Sequence, residues 1–120
     1  MVDIAVLNAA IGGPLGRIDA IGKWLGGEHD PILNNVYGVL NPTVELTKLW
    51  INAKRDGVVV NVASRNGLGG TPGGSLYGAS KHAIVGLTKS FALEFARGSP
   101  KIRFNAIAPG LTDTPFTWNQ

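Results

Sequence analysis

Gly57-Val58-Val59-Val60-Asn61-Val62 decides the fold of this chain. Its four valines are stiff at χ1 and suit a pleated strand better than a helix. The run is short and apolar, and it closes on Ala63-Ser64-Arg65-Asn66-Gly67, where turn residues take over. It reads as a buried strand. Two similar runs flank it, Val2-Asp3-Ile4-Ala5-Val6-Leu7 upstream and Ile102-Arg103-Phe104-Asn105-Ala106-Ile107 downstream.

The segments between these runs have helical spacing. In the first, Val36, Leu40, Val44 and Thr47 recur at steps of three or four, with Val39, Leu46 and Trp50 beside them. Pro42 sits inside this segment and predicts a kink or a break. In the second, Ser80, Ile84, Leu87, Phe91 and Phe95 form one stripe, Lys89, Glu94 and Arg97 lie off it, and Gly98 offers a stop. Strand, helix, strand, helix, strand makes two consecutive βαβ units, hence an α/β fold with a parallel sheet. Right-handed crossovers running the same way place both helices on one face. Parallel sheets are normally covered on both faces. The expectation is therefore a partial sheet, residues 1–120 forming one unit whose other face is covered by absent sequence or by another chain.

Composition fits that reading. The 120 residues are 44% hydrophobic and 16% charged, and the seventeen glycines fall mostly around the ends of apolar runs. The net charge of +3 is scattered, so the chain carries no nucleic-acid footprint. There is no cysteine, hence no disulfide or thiolate metal site. No apolar stretch reaches membrane-spanning length, and the start lacks the pattern of a secretion signal, so a cytoplasmic protein is expected.

Chemistry concentrates in Tyr77-Gly78-Ala79-Ser80-Lys81. A Tyr and a Lys four apart at a helix start share a face. An ammonium held beside a phenol favours the phenolate, which suits the phenol to acid–base work at a carbonyl or carbinol oxygen. Ser64 lies thirteen residues before Tyr77, at the carboxyl end of the central strand. Ligands of open α/β sheets bind at those ends. A turn or capping serine is the plainer reading of Ser64 alone. Asn8-Ala9-Ala10 after the first strand and Pro109-Gly110 after the third complete a row of small or polar strand ends, the outline of a shared cleft.

Together these motifs resemble the short-chain dehydrogenase/reductase family over nearly the whole chain. Tyr77 and Lys81 match its Tyr-x-x-x-Lys motif, and Ser64 its catalytic Ser. Asn35-Val36-Tyr37-Gly38 matches its Asn-x-x-Gly, Leu7-Asn8-Ala9-Ala10 its Asn-Asn-Ala-Gly, and Pro109-Gly110 with Thr114 its Pro-Gly segment. The resemblance implies the catalytic half of a Rossmann-type enzyme that moves a hydride between NAD or NADP and a small carbonyl or alcohol substrate. Tyr77 would be the general acid, Ser64 would bind the substrate oxygen, and Lys81 would act on Tyr77 and hold the nicotinamide ribose. Asn35 would help hold a water in a proton relay. Asn8, Ala9, Ala10, Pro109, Gly110, Thr112 and Thr114 would border the cofactor. A homo-oligomer is implied for the parent enzyme. Two departures stand out. Leu7 and Ala10 replace an Asn and a Gly of the family motif, and the family's glycine-rich phosphate turn is missing.

Two rivals compete. Gly12, Gly13 and Gly16 could be a phosphate turn, but their spacing and Pro14 fit no such fingerprint, and a surface loop is the simpler reading. Alternatively, the chain is a truncated, non-catalytic interaction module that dimerises or caps a full-length homologue through its two helices, with Trp24, Trp50 and Phe95 as contact residues. His29 and Asp30 read as a helix-start turn, and His82 as an exposed helix residue.

Overall fold

A computed structural model of the chain describes residues 1–118. Strand β1 (Ile4–Leu7) leads through a loop to α1 (Ile18–Ile21) and a single 3-10 turn, Gly22–Trp24. Helix α2 (Pro31–Ala53) and strand β2 (Gly57–Val62) follow. A second 3-10 turn (Arg65–Gly67) precedes α3 (Ser75–Glu94), β3 (Ile102–Ile107) and the short α4 (Pro115–Trp118). The three strands form one parallel sheet in the order β1-β2-β3, as the crossover argument requires. The short elements α1 and α4 had no periodic signal long enough to reveal them.

Asp30 starts α2: its Oδ1 accepts from Ile32 N at 2.8 Å, and Pro31 follows at the first helical position. Asp30 Oδ2 also accepts from Gly26 N at 2.8 Å, which ties the preceding loop to the cap. Contrary to the expected break, α2 runs through Pro42 as one helix. The carbonyl deprived of its bond belongs to Gly38, which is exposed, so water can replace the missing donor.

The buried face of α2 is also not the expected one. Asn35, Val39, Thr43, Thr47 and Trp50 point inward, whereas Val44 is exposed. The helix carries apolar residues on both sides, and the buried side chains of Asn35 and Thr47 find partners while Thr43 Oγ1 has none among the described residues, so hydrophobic periodicity alone chose the wrong stripe. Thr47 Oγ1, for example, donates to Thr43 O at 2.8 Å.

Both long helices pack on the same face of the sheet. Leu46 and Trp50 from α2 meet Phe91 and Phe95 from the far end of α3 around Val59, Ile102 and Phe104. Trp50 is 0% exposed, and its indole N–H donates to Val2 O at 2.7 Å, pinning the chain ahead of β1. A Cβ at position 57 would collide with the Trp50 ring, so only glycine lets the start of β2 pass beneath it. Phe104 packs against Phe91 and Phe95 with ring centroids 5.3 and 5.6 Å apart. A second cluster, Val39, Ala63 and Ile84, extends the core toward the carboxyl ends of the strands.

The opposite face of the sheet has no such cover among the described residues. Ile4 is 64% and Val6 60% exposed there, and Ile107 is exposed beside them. The register aligns Ile4 with Val58, Val6 with Val60 and Val62 with Ile107, so these apolar side chains share one face, which Arg103 and Asn105 of β3 also join. No described helix is long and apolar enough to cross a membrane.

Candidate active site

The three strands end together, and the residues that follow them enclose a cleft of about 710 Å³. Asn8, Ala9 and Ala10 come to it from β1, Ser64 from β2, and Pro109, Gly110, Thr112 and Thr114 from β3. Tyr77 and Lys81 enter from α3. Residues as far apart in sequence as Val6 and Thr117 thus meet because parallel crossovers deposit every strand end on one edge. Glycines 12, 13 and 16 lie in the loop between β1 and α1, outside this cleft.

Ser64 caps the 3-10 turn after β2, its Oγ accepting from Asn66 N at 3.1 Å. The capping reading and the functional one are compatible. Accepting at oxygen leaves the hydroxyl proton free to be donated into the cleft. Tyr77 stands in the first turn of α3, half-buried, with the Phe116 ring 6.1 Å from its own.

Lys81 lies one turn further and is 2% exposed. Its Nζ donates to Val62 O at 2.8 Å and lies 5.6 Å from the centre of the Tyr77 ring. Burial lowers its pKa below the ordinary lysine value of 10.5. The turn after β2 approaches α3 closely here. A Cβ on Gly67 would stand 2.7 Å from Lys81 O, so a side chain at 67 would push the Ser64 turn away from Lys81.

Asn35 is the one predicted catalytic residue whose side chain does not line the cleft. Its Oδ1 accepts from Ile11 N at 2.8 Å, and its Nδ2 donates to Ile11 O at 2.9 Å and to Ser80 Oγ at 3.0 Å. Ser80 Oγ in turn donates to Tyr77 O at 2.7 Å. This fully buried group ties the loop after Ala10 to the backbone of the Tyr77 turn. The loop after β3 is tied to itself: Thr117 Oγ1 donates to Thr112 O and Thr114 O, each at 2.8 Å.

Arg65, Asn66 and Leu111 also line the cleft, within segments expected there but not singled out by sequence reasoning, which missed Phe116 altogether. Adjacency to Ser64 could have flagged the first two. Phe116 had no local signal. His82, by contrast, is exposed, its Nδ1 lying 2.8 Å from Gly78 O. Among the described residues no group of three potential metal ligands occurs.

Known proteins resemble this chain in sequence and in fold. The 3-oxoacyl-(acyl-carrier-protein) reductase FabG of Thermotoga maritima is 38% identical over 117 residues, which are 97% of this chain and 45% of that protein. The chain thus spans about half the length of the curated relatives it matches. The crystal structure of levodione reductase superimposes with a TM-score of 0.86 at 34% identity, covering 98% of this chain and 43% of that one. The 3-ketoacyl-(acyl-carrier-protein) reductase of Brucella melitensis, complexed with NADH, gives 0.79 at 32% identity over 96% of this chain and 47% of its own. The short chain dehydrogenase family matches residues 1–120 throughout. With its parallel sheet and its shared strand-end cleft, this chain belongs to the short chain dehydrogenase family of oxidoreductases.

Proposed function

We propose that this cleft is the catalytic part of an NAD(P)-dependent enzyme that interconverts a carbonyl and an alcohol, with Tyr77 as general acid and base. The convergence of Ser64, Tyr77 and Lys81 with the Pro109–Thr114 segment in one cleft carries the reading. The residues present fit the nicotinamide end of such a cofactor. The Lys81 ammonium has three donors and spends one on Val62 O, leaving two for a pair of ribose hydroxyls. Gly110 has open space where a side chain would be, so a flat ring can approach the backbone closely.

The nicotinamide, when bound, supplies the hydride. Ser64 donates a hydrogen bond to the substrate carbonyl oxygen and polarises it. Tyr77 donates its phenolic proton to the same oxygen as the carbonyl carbon is reduced, and takes it back in the oxidative direction. The Lys81 charge steadies the phenolate left behind. Asn35 acts by position, holding the loop after Ala10 and the Tyr77 turn in register.

The described residues contain no glycine-rich phosphate turn, so a polypeptide of these 120 residues alone binds the dinucleotide weakly. Two measurements test this. Oxidation of NADPH or NADH is followed with a panel of ketones at saturating cofactor, and consumption that disappears in Ser64→Ala is expected. No hydride transfer to any ketone by a longer protein containing this region would overturn the assignment. A thermal melt of the 120 residues with and without NADPH is expected to show little shift.

A second reading rests on the outer side of α2, where Leu33, Tyr37, Val44 and Leu49 are exposed. An interaction module would bind a full-length homologue through this face and turn over nothing. Binding without hydride transfer would favour it.

A further inference from the structure

The cleft is lined by two cations and, among the described residues, by no Asp or Glu. Lys81 uses its charge internally, against Val62 O and the Tyr77 ring. Arg65 has no such use. It is exposed, and its guanidinium forms no ion pair or hydrogen bond among the described residues. Its backbone, however, is fixed on both sides. The Arg65 N–H donates to Pro109 O at 2.9 Å, and Arg65 O accepts from Leu68 N at 3.0 Å. An anchored backbone thus holds Arg65, whose guanidinium has no assigned partner, in the lining of the cleft next to Ser64. Asp113, in the facing loop, does not line the cleft, although its neighbours Thr112 and Thr114 do.

We propose that Arg65 is a specificity residue that selects carbonyl substrates bearing a carboxylate, that is, short oxo acids. This rests on the reading of the cleft as a carbonyl site. Arg65 directly follows Ser64, so their Cα atoms are about 3.8 Å apart. A substrate whose carbonyl oxygen sits on Ser64 and Tyr77 can therefore place a carboxylate a few carbons away on the guanidinium. That group's planar fork matches a carboxylate in two parallel hydrogen bonds, whereas the corresponding ester or a ketone without a carboxylate offers it no charge. A site that holds a cation for this purpose discriminates against the neutral analogue, because the analogue leaves the cation without its partner.

The probes are levulinate (an oxo acid), its methyl ester and inorganic phosphate. They are titrated by NMR into the chain without cofactor, following the backbone amides of residues 64–66. Levulinate is expected to bind at least about tenfold more tightly than the ester. Arg65→Gln should erase that preference, and Arg65→Lys, which keeps charge but not the fork, should restore part of it. Equal binding of acid and ester, or a preference that survives Arg65→Gln, overturns the proposal. So does binding of phosphate with no response to levulinate. The reaction reading fails separately. Levulinate preference without turnover in any longer protein would sink the chemistry and leave the role of Arg65 intact.

Discussion

The first turns of α3 bury polar groups, and its last turns pack half-buried rings against the sheet. At the amino end, Ser80 and Lys81 lie inside the protein, each donating to a backbone carbonyl, Tyr77 O and Val62 O. At the carboxyl end, Phe91 and the capping Phe95 close on Phe104. The same helical repeat serves both. Polar side chains are tolerated inside where each donor has an acceptor. The aromatic end supplies the apolar burial that holds the helix on the sheet. The helix that delivers Tyr77 and Lys81 to the cleft is thus also anchored some fifteen residues away, at a place with no chemical role.

The largest expected effect falls on the amino end. Tyr77→Phe, assayed in a catalytically competent protein containing these residues, should lower turnover by about 10²–10⁴-fold and leave the melting temperature unchanged. A fall in melting temperature comparable to that of a core mutant would break the division, because the hydroxyl would then be structural. Next comes the ring cluster. Phe104→Ala should cost about 3–5 kcal/mol in urea unfolding. A loss near 1 kcal/mol or below would move the anchor of α3 elsewhere.

The smallest effect concerns Lys81. Burial lowers its pKa below 10.5, so between that lowered value and 10.5 the native chain holds fewer protons than the unfolded one. Stability from this residue is therefore gained as pH rises through the window and lost as pH falls through it. Unfolding free energies of the parent and of Lys81→Met, measured across alkaline pH, should separate in the parent's favour as pH increases. Parallel curves would mean that folding does not desolvate the ammonium.

Strand positions were legible because β-branched runs ended at turn residues. The observed β2 and β3 coincide with the expected runs, and β1 is shorter by the two residues Val2 and Asp3. The stripe of α3 was legible in part: Ser80 and Ile84 are buried and Leu87, Phe91 and Phe95 half-buried along it, whereas Lys81 and Thr88, also buried, are polar and lay outside the expected stripe. The inward face of α2 was not. Asn35 and Thr43 are polar, and what buries Asn35 is its bonding to Ile11, 24 positions away, which leaves no trace in local periodicity. The cleft was read through Ser64, Tyr77 and Lys81 and their neighbours on three strand ends. The hold of Lys81 on Val62 O and the placing of Phe116 beside Tyr77 come from tertiary folding alone.

Gly57 and Trp50 cannot drift independently. The indole fills the place where any side chain at position 57 would begin, so alanine there is excluded while tryptophan stays at 50. A smaller residue at 50 would open that place, but it would also release Val2 O from its donor. Substitutions at the two sites should therefore be epistatic, with order mattering. A library randomised at both should return correlated pairs, and single exchanges at 57 should vanish from the surviving pool.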